Sequence, residues 1–127
     1  MEEKITIQTE KAPQPIGPYS IGIALGNLIF TSGQLGVDPE TGELVEGGIQ
    51  AETRQALRNI AHILEAAGSS LEKVIKTTIY LRDMGEFAQM NAVYSEFFAK
   101  DPPARTTIQA AALPKNAAVE IEAIAHR

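Results

Sequence analysis

Apolar and polar positions along this chain change period several times, and each change marks an element. Lys4-Ile5-Thr6-Ile7-Gln8-Thr9 alternates and predicts a short first strand. Pro13, Pro15 and Pro18 punctuate the next stretch, an ordered loop. Tyr19 to Leu25 and Leu28 to Ser32 flank Gly26-Asn27, a two-residue hairpin signal. Asp38-Pro39-Glu40-Thr41-Gly42 is a turn inside a polar loop. A helix is predicted from about Ile49 to Ala67, because Ile49, Thr53, Ala56, Leu57, Ile60, Leu64 and Ala67 keep a helical period. Gly68 then suits the residue just past its end. Ser69-Ser70-Leu71-Glu72 resembles a helix start, but the period soon changes. Val74 to Leu81 is rich in β-branched residues and reads as a strand. Asp83 can cap a second helix over about Glu86 to Lys100, with Phe87, Met90, Val93, Tyr94 and Phe97 on one face. Pro102-Pro103 leads into a strand through Ala110, and Ala118 to Ala125 forms another. The loop between them holds Pro114, Lys115 and Asn116, and the two strands are expected to pair as a hairpin.

The element order is βββαβαββ within a single domain, residues 1–127. Two helices of this length cover only one face of a six-stranded sheet. The strand Val74 to Leu81 divides into Ile75, Thr77, Ile79 and Leu81 on one side and Val74, Lys76, Thr78 and Tyr80 on the other, and both sets are partly apolar. In the last strand Ile124 joins Glu120 and Glu122. A second face that is partly apolar is expected to be covered by other subunits.

Composition narrows the class. The chain has 127 residues, enough for one core, and 44% are hydrophobic. Net charge is -5, with Lys and Arg scattered, which argues against a nucleic-acid surface. Without cysteine there is no disulfide, thiol nucleophile or thiolate metal site. The charged start, Met1-Glu2-Glu3-Lys4, lacks an apolar run of signal length, and no stretch approaches the ~18 apolar residues of a membrane span. A soluble cytoplasmic protein is the expectation.

Arg105 is the chief candidate for chemistry. A guanidinium is always charged, and its fork of donors fits a carboxylate. An ion pair with Glu120 or Glu122, or an oligomer contact, would account for it equally well. Glu120 and Glu122 share parity and point to one face. One of them, buried near the arginine, could act as acid or base, while two surface glutamates on an edge strand are the plainer account. Tyr19 follows Ile16-Gly17-Pro18, a tight turn that can project a phenol over a pocket, although an ordinary half-buried tyrosine is also possible. Thr31-Ser32-Gly33-Gln34 closes a strand with small residues, and Gly33 allows either close backbone approach or a bulge. Asn91 is expected to face away from much of the second helix's apolar stripe. His62 and His126 have no partner at ligand spacing, so no metal site is expected, and no phosphate-binding or nucleophile-elbow pattern suggests a cofactor.

Taken in order, several segments resemble one family. They are Ile16-Gly17-Pro18-Tyr19-Ser20, Thr31-Ser32-Gly33-Gln34, Asn59 with Ala66-Ala67-Gly68-Ser69, Val74 to Leu81, Asn91 to Phe98, Pro103-Ala104-Arg105-Thr106-Thr107 and Ile121 to Ala125. The set is similar to the RidA (YjgF) family of enamine/imine deaminases. The resemblance implies a chorismate-mutase-like α+β fold, a six-stranded mixed sheet with two helices on one face, and a homotrimer with sites in the clefts between subunits. It implies hydrolysis of 2-iminobutanoate or 2-iminopropanoate, released by pyridoxal-phosphate enzymes, to 2-oxo acids and ammonia, without metal or cofactor. Arg105 would bind the substrate carboxylate, Glu120 would position water and move protons, and Tyr19 would close over the substrate. Ser32, Gly33 and Asn91 would line the pocket, with the backbone at Thr107 touching the substrate. Thr107 stands where the family often has cysteine. A non-catalytic, carboxylate-binding or chaperone-like trimer, and an endoribonuclease or translation inhibitor, remain the other readings.

Overall fold

The computed structural model describes residues 3–127; Met1 and Glu2, the start of the charged N-terminus, lie outside the described residues. The strands are β1 (Lys4–Ile7), β2 (Gly22–Leu25), β3 (Leu28–Thr31), β4 (Gln34–Leu35), β5 (Val74–Leu81), β6 (Ala104–Gln109) and β7 (Val119–His126). The helices are α1 (Gly48–Ala66) and α2 (Phe87–Phe97). Sheet order is β1-β2-β3-β7-β5-β6, with β4 also against β7. Only β5 and β6 run parallel, so the sheet is mixed and the α+β expectation holds.

α1 forms where its apolar period requires, and Leu57, Ile60, Ile63 and Leu64 are fully buried against the sheet. Its end is a glycine stop. Gly68 has φ 82°, its N–H donates to Glu65 O, and Ser69 N–H donates to Leu64 O. Arg54 and Glu96 tie α1 to α2 through an ion pair of 3.2 Å. Asp83 caps as expected, but its carboxylate accepts from Gly85 N–H in a 3-10 turn over Met84–Glu86, one step ahead of α2.

Three expectations are corrected. The last two strands do not form a hairpin: β5 lies between them, paired to β6 on one side and β7 on the other. The loop from Ala110 to Ala118 is long enough to cross the end of β5, and β5 buries Val74, Thr77, Ile79 and Leu81, which suits a central strand. β6, with alternate residues exposed, takes the edge. Second, the faces of β5 are not one strict alternation. The register shifts between Val74 and Lys76, so Val74 joins Thr77, Ile79 and Leu81 on the helix side, while Ile75 is exposed. Third, the short strand β4 was absent from the sequence reading. It arises where Ser32-Gly33 inserts an extra residue: Phe30 faces Ile124 and Gln34 faces Ile121, four steps on one strand against three on β7.

β7 alternates cleanly. Val119, Ile121, Ala123 and Ala125 are buried under the helices, and Glu120, Glu122, Ile124 and His126 face the other way. That second face has no helix over it, and Leu25, Leu28 and Phe30 stay about two-fifths exposed there.

Candidate functional site

The sequence candidates gather into two groups, separated by the sheet. The first is built on β6 and α2. Arg105 pairs in register with Thr77, so its side chain leaves β6 on the helix side. Asn91 meets it there: Arg105 Nη1 donates to Asn91 Oδ1 at 2.8 Å. The guanidinium carbon lies 4.8 Å from the ring centre of Tyr94 and 5.4 Å from that of Phe87. Phe87, Asn91 and Tyr94 fall four and three residues apart, on one stripe of α2. Asn91 therefore faces the sheet beside the apolar stripe, which corrects the expected outward direction. Cation–π contacts of this kind add about 0.5–2 kcal/mol, more when desolvated. Tyr94 is fixed in turn, its Oη sharing a hydrogen bond of 2.8 Å with the buried Thr77 Oγ1. Burial pushes its phenol up, against the opposing effects of the Thr77 hydrogen bond and the Arg105 charge. Among the described residues no carboxylate pairs with Arg105. The fork is thus oriented by two rings and one amide oxygen, and among the described residues its other donors make no hydrogen bond.

The second group lies on the opposite face. Glu120 pairs in register with Tyr80 and with Leu35. It borders a cavity of about 500 Å³ with Tyr19, Gly33, Leu35, Pro114 and Lys115. Burial first, and the neighbouring Glu122 carboxylate second, hold the Glu120 pKa above the usual carboxylate value. Tyr80 Oη donates to Glu122 at 3.4 Å, a long bond. Tyr19 is about half exposed and stands at the mouth, on a turn closed by its N–H to Gly17 O at 2.8 Å. The Ser32 hydroxyl is already engaged: it donates to Ser20 O, and Ser32 N–H donates to Ile21 O at 2.8 Å. Both bonds tie the Tyr19 loop to the junction of β3 and β4.

Several residues with structural consequence for the site carried no role in the sequence reading. Glu52, on α1, is buried and accepts the Ala118 N–H at 2.8 Å, fixing the chain where it enters β7. Asn59, fully buried, donates to Leu35 O and Val37 O and accepts from Gln55. Polar residues on the buried stripe of α1 were the available signal. Phe87 and Tyr94 belong to the apolar face of α2, and only the position of Arg105 reveals the second use of their rings. Among the described residues no cluster of three metal-ligating side chains occurs. No helix is long and apolar enough to cross a membrane.

Two helices on one side of a mixed sheet, with an arginine cluster on that side and a carboxylate-lined cavity on the other, define a class of small α+β domains. The chain belongs to the RidA/YjgF family: the family model described as Endoribonuclease L-PSP matches residues 9–127. A RutC family protein of Pyrococcus horikoshii is 55% identical over 124 residues, 98% of each chain. The 2-iminobutanoate/2-iminopropanoate deaminase of Homo sapiens is 47% identical over 119 residues, 94% of this chain and 87% of that one. The crystal structure of E. coli TdcF with bound serine superposes with a TM-score of 0.93 at 44% identity, over 97% of this chain and 98% of that one.

Thr107 lies two residues beyond Arg105, on the same face of β6 and opposite Ile79. Its Oγ1 is buried without a hydrogen-bond partner. An orphaned hydroxyl costs about 1–3 kcal/mol, and removing it with shape kept is neutral or favourable. Thr107→Val should therefore keep or raise the melting temperature, as differential scanning calorimetry would record. A fall of several degrees would mean that the hydroxyl is satisfied in solution.

Proposed function

We propose that the protein is an imine deaminase acting as a homotrimer, which converts small 2-imino acids and their enamine tautomers to 2-oxo acids and ammonia. One observation carries this: the Arg105 cluster and the Glu120 cavity lie on opposite sides of one sheet, with β5 between their strands. A single chain cannot bring both to one small molecule. A second copy, presenting its own β6 edge to the Glu120 cavity, could complete a site from two halves. The uncovered sheet face, with Leu25, Leu28 and Phe30, supplies apolar surface for that assembly. The deaminase name of the human relative and the serine in the TdcF crystal support a ligand with one carboxylate beside a nitrogen-bearing carbon.

The chemistry fits these groups. Arg105 would take the substrate carboxylate with the donors left free by Asn91. Its rings and amide hold the fork in place before binding, which reduces the ordering cost. Glu120 would accept a proton from water as the oxygen adds to the C=N carbon, giving a tetrahedral aminoalcohol. Glu120 returns that proton to nitrogen and takes the hydroxyl proton as the C–N bond breaks, so that the C=O bond forms and ammonia leaves, to be protonated in turn to ammonium. Water supplies the oxygen, and no oxidant or reductant is consumed. An enamine first takes a proton at its terminal carbon and then follows the same course. The endoribonuclease description attached to the family receives little support from this chain, with 11 Lys and Arg against 16 Asp and Glu.

The activity is tested by generating 2-iminopropanoate in situ and following its loss. Arg105→Lys keeps the charge but loses the planar fork and its stacking on two rings. It should lower kcat/KM by roughly 30- to 1000-fold, or about 2–4 kcal/mol, with assembly retained and the melting temperature lowered only by the loss of the ring contacts. Near-normal turnover would remove Arg105 from the site.

Acid dependence tests Glu120. A base must be ionised, so kcat should fall as pH drops through a value above the ordinary carboxylate range. Glu122 contributes to that elevation as a like charge. Glu122→Gln should accordingly move the acid limb to lower pH, and a limb that stays in place would separate Glu120 from the rate.

A further inference from the structure

We infer that Gly33 is a positioning residue for the Glu120 carboxylate: the space left by its missing side chain is where that carboxylate is held. The inference rests on the assignment of Glu120 to catalysis above. A Cβ built on Gly33 would overlap Glu120 Oε2 and stand 2.8 Å from Cδ and 3.0 Å from Cγ. Its three nearest atoms all belong to that one side chain. Gly33 is not among the glycines with left-handed backbone, so an alanine could adopt its conformation. Glycine is required here for room.

The bulge explains how Gly33 comes so close. The extra residue at Ser32-Gly33 turns the chain against β7. Bonds on both sides hold it there. The Ser32 hydroxyl and N–H are bound to Ser20 O and Ile21 O, and Ala123 N–H donates to Thr31 Oγ1 at 3.0 Å. Gly33 therefore has little freedom to retreat from an added methyl, and the flexible end of Glu120 must give way. The other titratable or charged groups around that carboxylate are Glu122 on β7, Tyr80 on β5, Tyr19 on the N-terminal loop, Glu40 on the loop after β4 and Lys115 on the loop before β7. A displaced carboxylate would meet a different balance of these, so its titration should move as well as its reach.

The test is a cycle on imine hydrolysis. Gly33→Ala should lower kcat by about 10-fold or more while changing KM by less than about 3-fold, and should shift the acid limb. In a Glu120→Gln background the same alanine should change kcat by less than about 2-fold, because the group it displaces is already inactive. Normal turnover by Gly33→Ala, or an equal loss in both backgrounds, would overturn the inference. Should Gly33→Ala fail to fold, Gly33→Ala/Glu120→Ala removes the clash. Recovery of folding by the pair supports the inference, and failure of both overturns it. Full activity in Glu120→Gln alone would defeat the catalytic assignment and this inference with it. An inactive Glu120→Gln beside a normal Gly33→Ala would defeat only the inference.

Discussion

A β-strand has two faces, and the central pair β5–β7 uses both. Its helix side is the core: Ile79, Leu81, Val119 and Ile121 pack under α1 and α2 with essentially no exposure. Burying such side chains contributes about 1.5–3 kcal/mol each, which fixes the register of both strands. Register then determines everything else. With Val119 and Ile121 inward, Glu120 and Glu122 must point outward. With Thr77 inward, its register partner Arg105 must leave β6 toward α2. A slip of one residue would exchange the faces and dismantle both groups together.

The two groups differ in how they treat charge. Arg105 is held by rings and an amide oxygen, so its charge is oriented without being neutralised. Glu120 is half-buried beside another carboxylate, which disfavours its charged form. A carboxyl with raised pKa in the folded state holds more protons there than in the unfolded chain. Its contribution to stability therefore falls as pH rises from the ordinary carboxylate value through the raised one. A stability cost at a site is a usual companion of a group kept ready for proton transfer. The bulge at Ser32-Gly33 belongs with it, since an interruption of the ladder brings the backbone against that carboxylate.

Much of this was legible in the chain. The parity of Glu120 and Glu122, the glycine stop after α1 and the strand Val74 to Leu81 all follow from local period and chemistry, and the structure has them. What was not legible is non-local. A loop from Ala110 to Ala118 suits a hairpin or a crossing over β5, and only the burial of β5 decides between them. β4 has two residues and no period of its own, so it exists only by pairing with β7. The bulge at Ile75 moved Val74 across the sheet without a glycine to announce it. Asn91 was assigned outward because polarity suggests solvent, whereas Arg105 supplies its partner. Residue type named the candidates Arg105 and Glu120, but it gave no sign that they divide between two faces of the sheet.

That division makes the shared site the central claim, and subunit mixing tests it most directly. Arg105→Lys and Glu120→Gln are each expected to turn over far more slowly than the wild type as pure proteins. If every site takes Arg105 from one chain and Glu120 from another, unfolding and refolding an equimolar mixture restores intact sites. Random assembly should recover about a quarter of wild-type activity, since each half is intact with even odds. Activity that stays at the level of the separate variants after mixing, with hybrid oligomers verified by native mass spectrometry, would contradict the account.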